Sequence, residues 1–157
     1  MDIQNRVALV TGAGVGTGRA IGERLAAGGA AVALTDVSEA DETLQSIHAA
    51  GGRAGFVAAD LTSPDGVRAG LGDEPYHSPE YGAAKAGLMR ATACLRDLPG
   101  VRVNCVAPDW VATDRALASL TPGDDTPPVS LGALCDAVMD LVEDDSARGK
   151  VVVLGRG

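Results

Sequence analysis

A glycine-rich turn is the first segment whose residue types suit a definite chemistry. Residues 11–18 read TGAGVGTG and directly follow the apolar run Val7–Val10. Small residues let the backbone approach a pyrophosphate closely, and a helix that begins there offers free N–H groups and the positive end of its dipole. The segment predicts a phosphate-binding turn between a strand and a helix, and an ordinary tight turn remains the alternative. Its candidate cofactor contacts are Thr11, Gly12, Gly14, Gly16 and Gly18.

An aspartate follows at a spacing that adds to this signal. Asp36 stands at the end of a second apolar run, Ala31–Thr35. A carboxylate about 20 residues beyond such a turn accepts hydrogen bonds from the adenosine ribose hydroxyls and repels a 2′-phosphate. The pair therefore favours NAD(H) over NADP(H) as cofactor, whereas the alternative reading of Asp36 is a solvated strand end.

A tyrosine and a lysine stand one helical turn apart later in the chain. Tyr81 and Lys85 are at positions i and i+4, so a helix places both on one face. A phenol is a poor acid or base at neutral pH, and a neighbouring ammonium stabilises the phenolate and lowers the pKa of the phenol. The pair therefore suits general acid–base work, although Tyr-x-x-x-Lys also occurs as a plain surface pair.

The elements that must hold these residues alternate between strand-like and helix-like patterns. Strands are predicted at 7–10, 31–35, 55–59, 101–107 and 150–154, the first of them buried on both faces. Helices separate them, with Ser38, Ser78 and Ser130 as predicted N-caps. This alternation predicts one α/β domain over residues 1–157, with parallel strands and right-handed crossovers.

Composition excludes several classes of protein. The 157 residues carry a net charge of −8, which disfavours nucleic acid and anionic membranes as partners. No apolar run approaches the length of a membrane span, and no leader is recognised. Cys94, Cys105 and Cys135 lack metal-like spacing, so no metal is expected, and they are interpreted as reduced, buried thiols of a cytoplasmic protein.

Further segments extend the pattern in order along the chain. Asp60-Leu61 follows the third predicted strand, and residues 81–88 read YGAAKAGL. Residues 101–108 read VRVNCVAP, and Thr113 follows shortly afterwards. Together with the glycine turn and Asp36, these segments resemble the short-chain dehydrogenase/reductase family over nearly the whole chain.

The resemblance implies a role for each matching residue. Glycines of the turn would hold the pyrophosphate and Asp36 the adenosine ribose, while Asp60 and Leu61 would border the adenine. Tyr81 would transfer a proton to or from the substrate, with Lys85 lowering its pKa and binding the nicotinamide ribose. Three residues would flank the carboxamide of the nicotinamide: Pro108, Val111 and Thr113.

The chain also departs from the family pattern. The Asn-Asn-Ala-Gly strand end and the catalytic serine are missing, together with roughly sixty residues, or two strand–helix units. Their removal predicts a Rossmann-like, doubly wound parallel sheet of about five strands in the order 3-2-1-4-5, with the tyrosine helix shifted toward strand 1. Asp109 stands where the family usually has a glycine.

Three functions therefore remain open from the sequence. The first is an NAD-dependent oxidoreductase acting on an alcohol or a carbonyl compound. The second uses Tyr81 and Lys85 for proton transfer without redox chemistry, such as dehydration, isomerisation or cyclisation. The third is a non-catalytic nucleotide-binding scaffold. A small-molecule substrate and a homodimer that pairs through the tyrosine helix are expected from the resemblance.

Overall fold

A computed structural model describes residues 2–58, 79–118 and 127–155 of the chain, with the side chains of Val57 and of residues 79–84 outside the described set. Five strands and five helices are described. In chain order they are β1 (Val7–Thr11), α1 (Gly16–Ala27), β2 (Ala31–Asp36), α2 (Asp41–Ala49), β3 (Arg53–Ala58), α3 (Pro79–Cys94), β4 (Cys105–Pro108), α4 (Asp114–Ala118), α5 (Leu131–Glu143) and β5 (Val151–Leu154).

All strand pairs are parallel, as the strand–helix alternation predicts. The order β3-β2-β1 is confirmed in a first sheet, in which Val7 pairs with Ala31 and Ala31 pairs with Arg53. Strands β4 and β5 form a second sheet, with Cys105 opposite Val151. The α/β class with parallel strands is therefore confirmed.

The predicted order 3-2-1-4-5 is confirmed in part: the described residues form β3-β2-β1 and β4-β5, and within them β1 and β4 do not pair. Helix α3, which carries Tyr81, makes its main contacts with β4 and β5 of the second sheet. Helices α1 and α5 contact each other and join the two halves. A cavity of about 390 Å³ lies between α1, β4 and α5, and its lining includes Ile21, Val106 and Leu134.

The hydrophobic core lies between the first sheet and the helices α1 and α2. Leu34 is 1% exposed on β2, and Ile47 is 3% exposed on α2. Helix α1 contributes Leu25 and Ala26 to the same cluster. This core fixes the carboxyl ends of β1 and β2, which are the strands that precede the glycine turn and Asp36.

The prediction that β1 is buried on both faces is wrong. Val7 is 79% exposed and Leu9 is 69% exposed, while Val10 on the other face is buried. Helix α1 covers one face of the strand, and α3 contacts the second sheet instead of the opposite face. The short apolar run thus predicts the strand correctly, but only one face of that strand is buried.

Helix ends follow the sequence signals in part. Ser130 caps α5 as predicted, since its Oγ accepts the N–H of Ala133 at 3.1 Å. Ser38 does not cap α2, because the helix begins at Asp41 and Ala40 occupies the N-cap position. The N–H of Ser38 donates to Asp36 Oδ1 at 3.2 Å. The predicted cap at Ser78 lies outside the described residues.

The three thiols are free, but they are not all buried. Cys135 is buried, Cys105 is partly covered, and Cys94 on α3 is exposed, which corrects the prediction of uniformly buried thiols. Burial raises the pKa of the Cys135 thiol above its ordinary value. Among the described helices, none has the length and apolar character needed to cross a membrane.

Candidate functional site

The glycine turn joins β1 to α1 through backbone conformations that favour glycine. Gly12 has φ +65° and Gly16 has φ +57°, both in the left-handed region. Gly18 meets a different constraint, because a Cβ built on it would lie 2.0 Å from the carbonyl oxygen of Gly12. The turn is therefore as tight as the sequence predicts, and Gly18 sets how closely α1 approaches β1.

The start of α1 is suited to an anion. Val15 occupies the N-cap position in an extended conformation, and its side chain accepts no hydrogen bond from the helix. The first turn of α1 carries no acidic side chain. The first backbone N–H groups of a helix have no partner within it, so here they remain for a ligand or water. These residues fit the pyrophosphate of a dinucleotide.

Asp36 lies directly against the glycine turn. Its Oδ2 accepts the N–H of Gly14 at 2.8 Å, and its Oδ1 accepts the N–H of Ser38 at 3.2 Å. A carboxylate has about four acceptor positions, and the backbone N–H groups of Gly14, Ser38 and Val37 interact with this one, which leaves a position for a hydroxyl. The Asp36 carboxylate thus fits a ribose hydroxyl while it remains anchored to the turn. Of the predicted contacts in the turn, Gly14 is buried and Thr11 is exposed at the end of β1.

We expect Asp36 to make stability depend on pH. The N–H groups of Gly14 and Ser38 hold the pKa of this carboxyl below its ordinary value of 3.8. A lowered folded-state pKa contributes stability that is fully present above the unfolded-state pKa and is lost as pH falls through the folded-state pKa. Between about pH 6 and about pH 3, the Tm of Asp36→Asn should therefore fall less than the Tm of the wild type.

Thermal unfolding followed by circular dichroism measures this difference. Asp41→Asn, which removes an equal charge from the exposed start of α2, is the matched control and should follow the wild type. Equal slopes of Tm against pH for the wild type and Asp36→Asn would contradict the hydrogen bonds described for Asp36.

A loop after β4 reaches the same turn from the other half of the chain. Pro108 ends β4, and Val111 pairs with Val129 in an isolated bridge. Thr113 caps the short α4, since its Oγ1 accepts the N–H of Ala116 at 3.2 Å. Its Cγ2 lies 3.4 Å from the position of a Cβ built on Gly16. The fold therefore brings Thr113 and Gly16 together, although they are far apart in sequence.

The tyrosine and the lysine lie on one helix, as predicted. Both belong to α3, one turn apart, and the Lys85 side chain is exposed, while the Tyr81 side chain lies outside the described residues. Helix α3 contacts β4 and β5. Asp60 and Leu61 also lie outside the described residues. The structure therefore gives the helical spacing of Tyr81 and Lys85.

Sequence reasoning missed one residue of the site. Thr43 on α2 is fully buried, and its Oγ1 donates to the carbonyl oxygens of Ala13 at 3.0 Å and Gly14 at 3.2 Å. Thr43 stands four residues before the buried Ile47, so a hydroxyl on the apolar stripe of a helix was the available signal.

No group of three or more His, Cys, Asp and Glu side chains suited to a metal ion is found among the described residues. The acidic residue Asp144 instead forms an ion pair with Lys150 at 2.7 Å. The hydrogen bond from Lys150 and those from Ser146 hold the pKa of the Asp144 carboxyl well below its usual range. The acidic segment after α5 therefore has structural partners.

Comparisons with known proteins agree with this architecture. A sequence model described as short chain dehydrogenase matches residues 6–74. The short-chain dehydrogenase/reductase homolog YusS of Bacillus subtilis is 42% identical over 71 residues, which cover 43% of this chain and 65% of YusS. Cis-4-hydroxycyclohexanecarboxylate dehydrogenase of Sinomonas cyclohexanicum is 41% identical over 99 residues, which cover 59% of this chain and 39% of that enzyme.

A solved structure extends the likeness of fold to both halves of the chain. The 3-oxoacyl (acyl-carrier-protein) reductase of Agrobacterium tumefaciens C58, with NADP bound, superposes with a TM-score of 0.73 at 20% sequence identity, covering 97% of this chain and 93% of that one. The sequence matches span less than two-thirds of the length of either curated relative. By its glycine turn, its parallel α/β fold and these relatives, the chain is similar to the short-chain dehydrogenase/reductase family, in sequence over residues 6–74 and in fold over 97% of its length.

Proposed function

We propose that the chain binds NAD(H) and acts as an oxidoreductase that interconverts an alcohol and a carbonyl compound. The observation that carries this proposal is the Asp36 carboxylate, anchored 2.8 Å from the Gly14 nitrogen beside the uncapped start of α1. Two groups that a dinucleotide requires are thus adjacent: backbone N–H groups for its phosphates and a carboxylate for its ribose hydroxyls. The relatives are named as dehydrogenases and reductases, which supports the same class of reaction.

The proposed preference for NAD(H) rests on charge. The Agrobacterium reductase is described with NADP bound, so the fold by itself allows either cofactor. In this chain, a 2′-phosphate on the adenosine ribose would meet the Asp36 carboxylate, and two negative charges at that distance repel each other. The described part of the turn, residues 11–18, carries no lysine or arginine that would offset this repulsion.

The cofactor, when bound, supplies or accepts a hydride. We propose that the Tyr81 hydroxyl gives a proton to the carbonyl oxygen in reduction and takes the hydroxyl proton in oxidation. Lys85, one turn along α3, would favour the phenolate and bind the nicotinamide ribose. Pro108, Val111 and Thr113 would flank the carboxamide, since Thr113 already lies against Gly16. The missing serine removes one donor to the substrate oxygen, which typically lowers kcat about 100- to 1,000-fold.

Titration with NADH and with NADPH tests the cofactor proposal. We expect NADH to bind at least about tenfold more tightly than NADPH, because the Asp36 carboxylate accepts from free ribose hydroxyls and repels a 2′-phosphate. Asp36→Asn should reduce this preference, chiefly by weakening NADH binding and relieving the repulsion of NADPH. Isothermal titration calorimetry measures both affinities.

The control for this experiment is Asp41→Asn, which changes the net charge equally at the start of α2 and should retain the preference. Equal affinities of the wild type for the two nucleotides would overturn the proposed role of Asp36. Absence of binding to either nucleotide would overturn the cofactor proposal as a whole.

A second candidate function follows from the separation of the two sheets. Helix α3 packs on β4 and β5, in a sheet that does not pair with the strand preceding the glycine turn. This arrangement favours proton-transfer chemistry by Tyr81 and Lys85 without hydride transfer, such as dehydration, isomerisation or cyclisation, or a nucleotide-binding scaffold. Weak NADH binding would favour the proton-transfer alternative, and NADH binding without turnover would favour the scaffold. Sensitivity of any activity to Tyr81→Phe would separate catalysis from a scaffold.

We also propose that residues 1–157 act as one domain in a cytoplasmic homodimer with a small-molecule substrate. Helix α3 exposes Ala86 and Arg90, which lie one turn apart on a different face of the helix from Tyr81 and Lys85. This exposed face is the proposed pairing surface, because members of the family commonly pair through this helix. Sedimentation velocity of the wild type and Arg90→Glu tests this assignment.

A further inference from the structure

Thr43 holds one peptide group of the glycine turn from the side opposite Asp36. The carbonyl of Ala13 and the N–H of Gly14 belong to the same peptide, and in a trans peptide they point in opposite directions. The carbonyl oxygen accepts from Thr43 Oγ1 at 3.0 Å, and the N–H donates to Asp36 Oδ2 at 2.8 Å. This peptide is therefore fixed between α2 and the end of β2.

Two further contacts define the orientation of the segment. The hydroxyl of Thr43 is also 3.2 Å from the carbonyl oxygen of Gly14, so its single proton is shared between two acceptors. The N–H of Ala13 donates to the carbonyl oxygen of Thr35 at 3.2 Å. Thr43 is 0% exposed, so water cannot replace its hydroxyl without a rearrangement.

We propose that Thr43 is a positioning residue for the cofactor site, which acts through the Ala13–Gly14 peptide to hold the Asp36 carboxylate in place for the ribose. This inference rests on the proposed binding of NAD(H). Thr43 itself contacts no cofactor, because its hydroxyl faces the interior between α2 and the turn. Loss of the hydroxyl frees the peptide to rotate, and the carboxylate that depends on its N–H loses a fixed partner.

Thr43→Val is the first test, because valine keeps the shape of threonine and removes the hydroxyl. We expect faster hydrogen exchange at the Gly14 amide, by about tenfold or more, in the protein without nucleotide. We also expect the NADH Kd to rise roughly 3- to 10-fold, and the preference for NADH over NADPH to fall, because a loosened carboxylate no longer opposes the 2′-phosphate at a fixed distance. Thr43→Ser should restore both quantities to within about twofold of the wild type.

The matched control is Thr92→Val. Thr92 is also buried, but its hydroxyl donates to the carbonyl of Leu88 within α3, away from the glycine turn. It should change neither Gly14 exchange nor the nucleotide preference. A general loss of stability would affect both valine variants and would not alter the ratio of NADH to NADPH affinity.

The outcomes separate this inference from the proposed function. Unchanged Gly14 exchange in Thr43→Val overturns the role of Thr43, whatever the nucleotide affinities are. Altered exchange with an unchanged preference for NADH shows that the clamp does not position Asp36 for the ribose, and it also overturns the inference. If the wild type binds neither nucleotide, the proposed function fails, while the exchange experiment still decides whether Thr43 fixes the turn.

Discussion

Gly18→Ala is expected to abolish measurable NADH binding and to destabilise the protein. The new Cβ would lie 2.0 Å from the carbonyl oxygen of Gly12 and 2.7 Å from its carbonyl carbon. Both contacts are with backbone, so no side chain can turn away to make room, and α1 must move from the end of β1. Such overpacking typically costs about 1–3 kcal/mol, which corresponds to roughly 2–12 °C in Tm for a protein of this size.

The effect on binding should exceed the effect on stability. Movement of α1 displaces the N–H groups at its start, and these are the groups proposed to bind the pyrophosphate. A displacement of this kind also alters the contact between Gly16 and Thr113. Calorimetric titration with NADH and thermal unfolding of the same preparation measure the two effects separately.

Gly132→Ala is the matched control for this variant. A Cβ on Gly132, in the first turn of α5, would lie 3.8 Å from Ser130 Oγ, which is ordinary van der Waals contact. Alanine also favours a helix over glycine, so this variant should be at least as stable as the wild type. Wild-type NADH affinity in Gly18→Ala would contradict both the tight turn and its proposed role.

Tyr81→Phe is expected to lower kcat about 100- to 10,000-fold, the usual contribution of a positioned general acid or base. Phenylalanine retains the ring and removes only the hydroxyl, so the helix and the cofactor turn should be unaffected. The affinity for NADH should accordingly remain within about twofold of the wild type, because the proposed pyrophosphate and ribose contacts lie on α1 and β2. Steady-state oxidation of NADH with a panel of small ketones and aldehydes measures kcat.

Tyr76→Phe provides the control, since Tyr76 and Tyr81 are the two tyrosines of the chain. It should leave kcat and NADH affinity unchanged. Equal turnover by the wild type and Tyr81→Phe would remove Tyr81 from the mechanism. If NADH binds but neither protein oxidises it, the oxidoreductase proposal fails and the scaffold reading is favoured.

Local signals in the sequence were sufficient to predict the order of strands and helices in the first half of the chain. The apolar runs and glycines of residues 7–58 predicted β1, α1, β2 and β3 in the right order, because each of these elements is stabilised by contacts with its neighbours in the chain. The placement of Asp36 beside the glycine turn also followed from order alone, since the carboxyl ends of adjacent parallel strands meet at one edge.

Sequence patterns were less informative where a residue depends on distant partners. Ser38 has the residue type of an N-cap, but α2 begins three residues later and Ala40 occupies the N-cap position. Val7 and Leu9 have the composition of a buried strand, although the layer that would cover them is absent from the described fold. The type of a side chain indicates whether burial is favourable, whereas its actual burial depends on which other element packs against it.

The amino-acid sequence by itself determined the parallel α/β class and the spacing of the glycine turn, Asp36, Tyr81 and Lys85, on which the resemblance to the family rests. Only the tertiary structure decided that the strands form two sheets, that Thr113 meets Gly16, and that Thr43 holds the turn. The physical reason is that spacing and periodicity are local properties of a chain, while strand pairing and buried hydrogen bonds result from competition among all possible packings. Helix α3 packs on β4 and β5, and among the described residues β1 pairs with β2 alone.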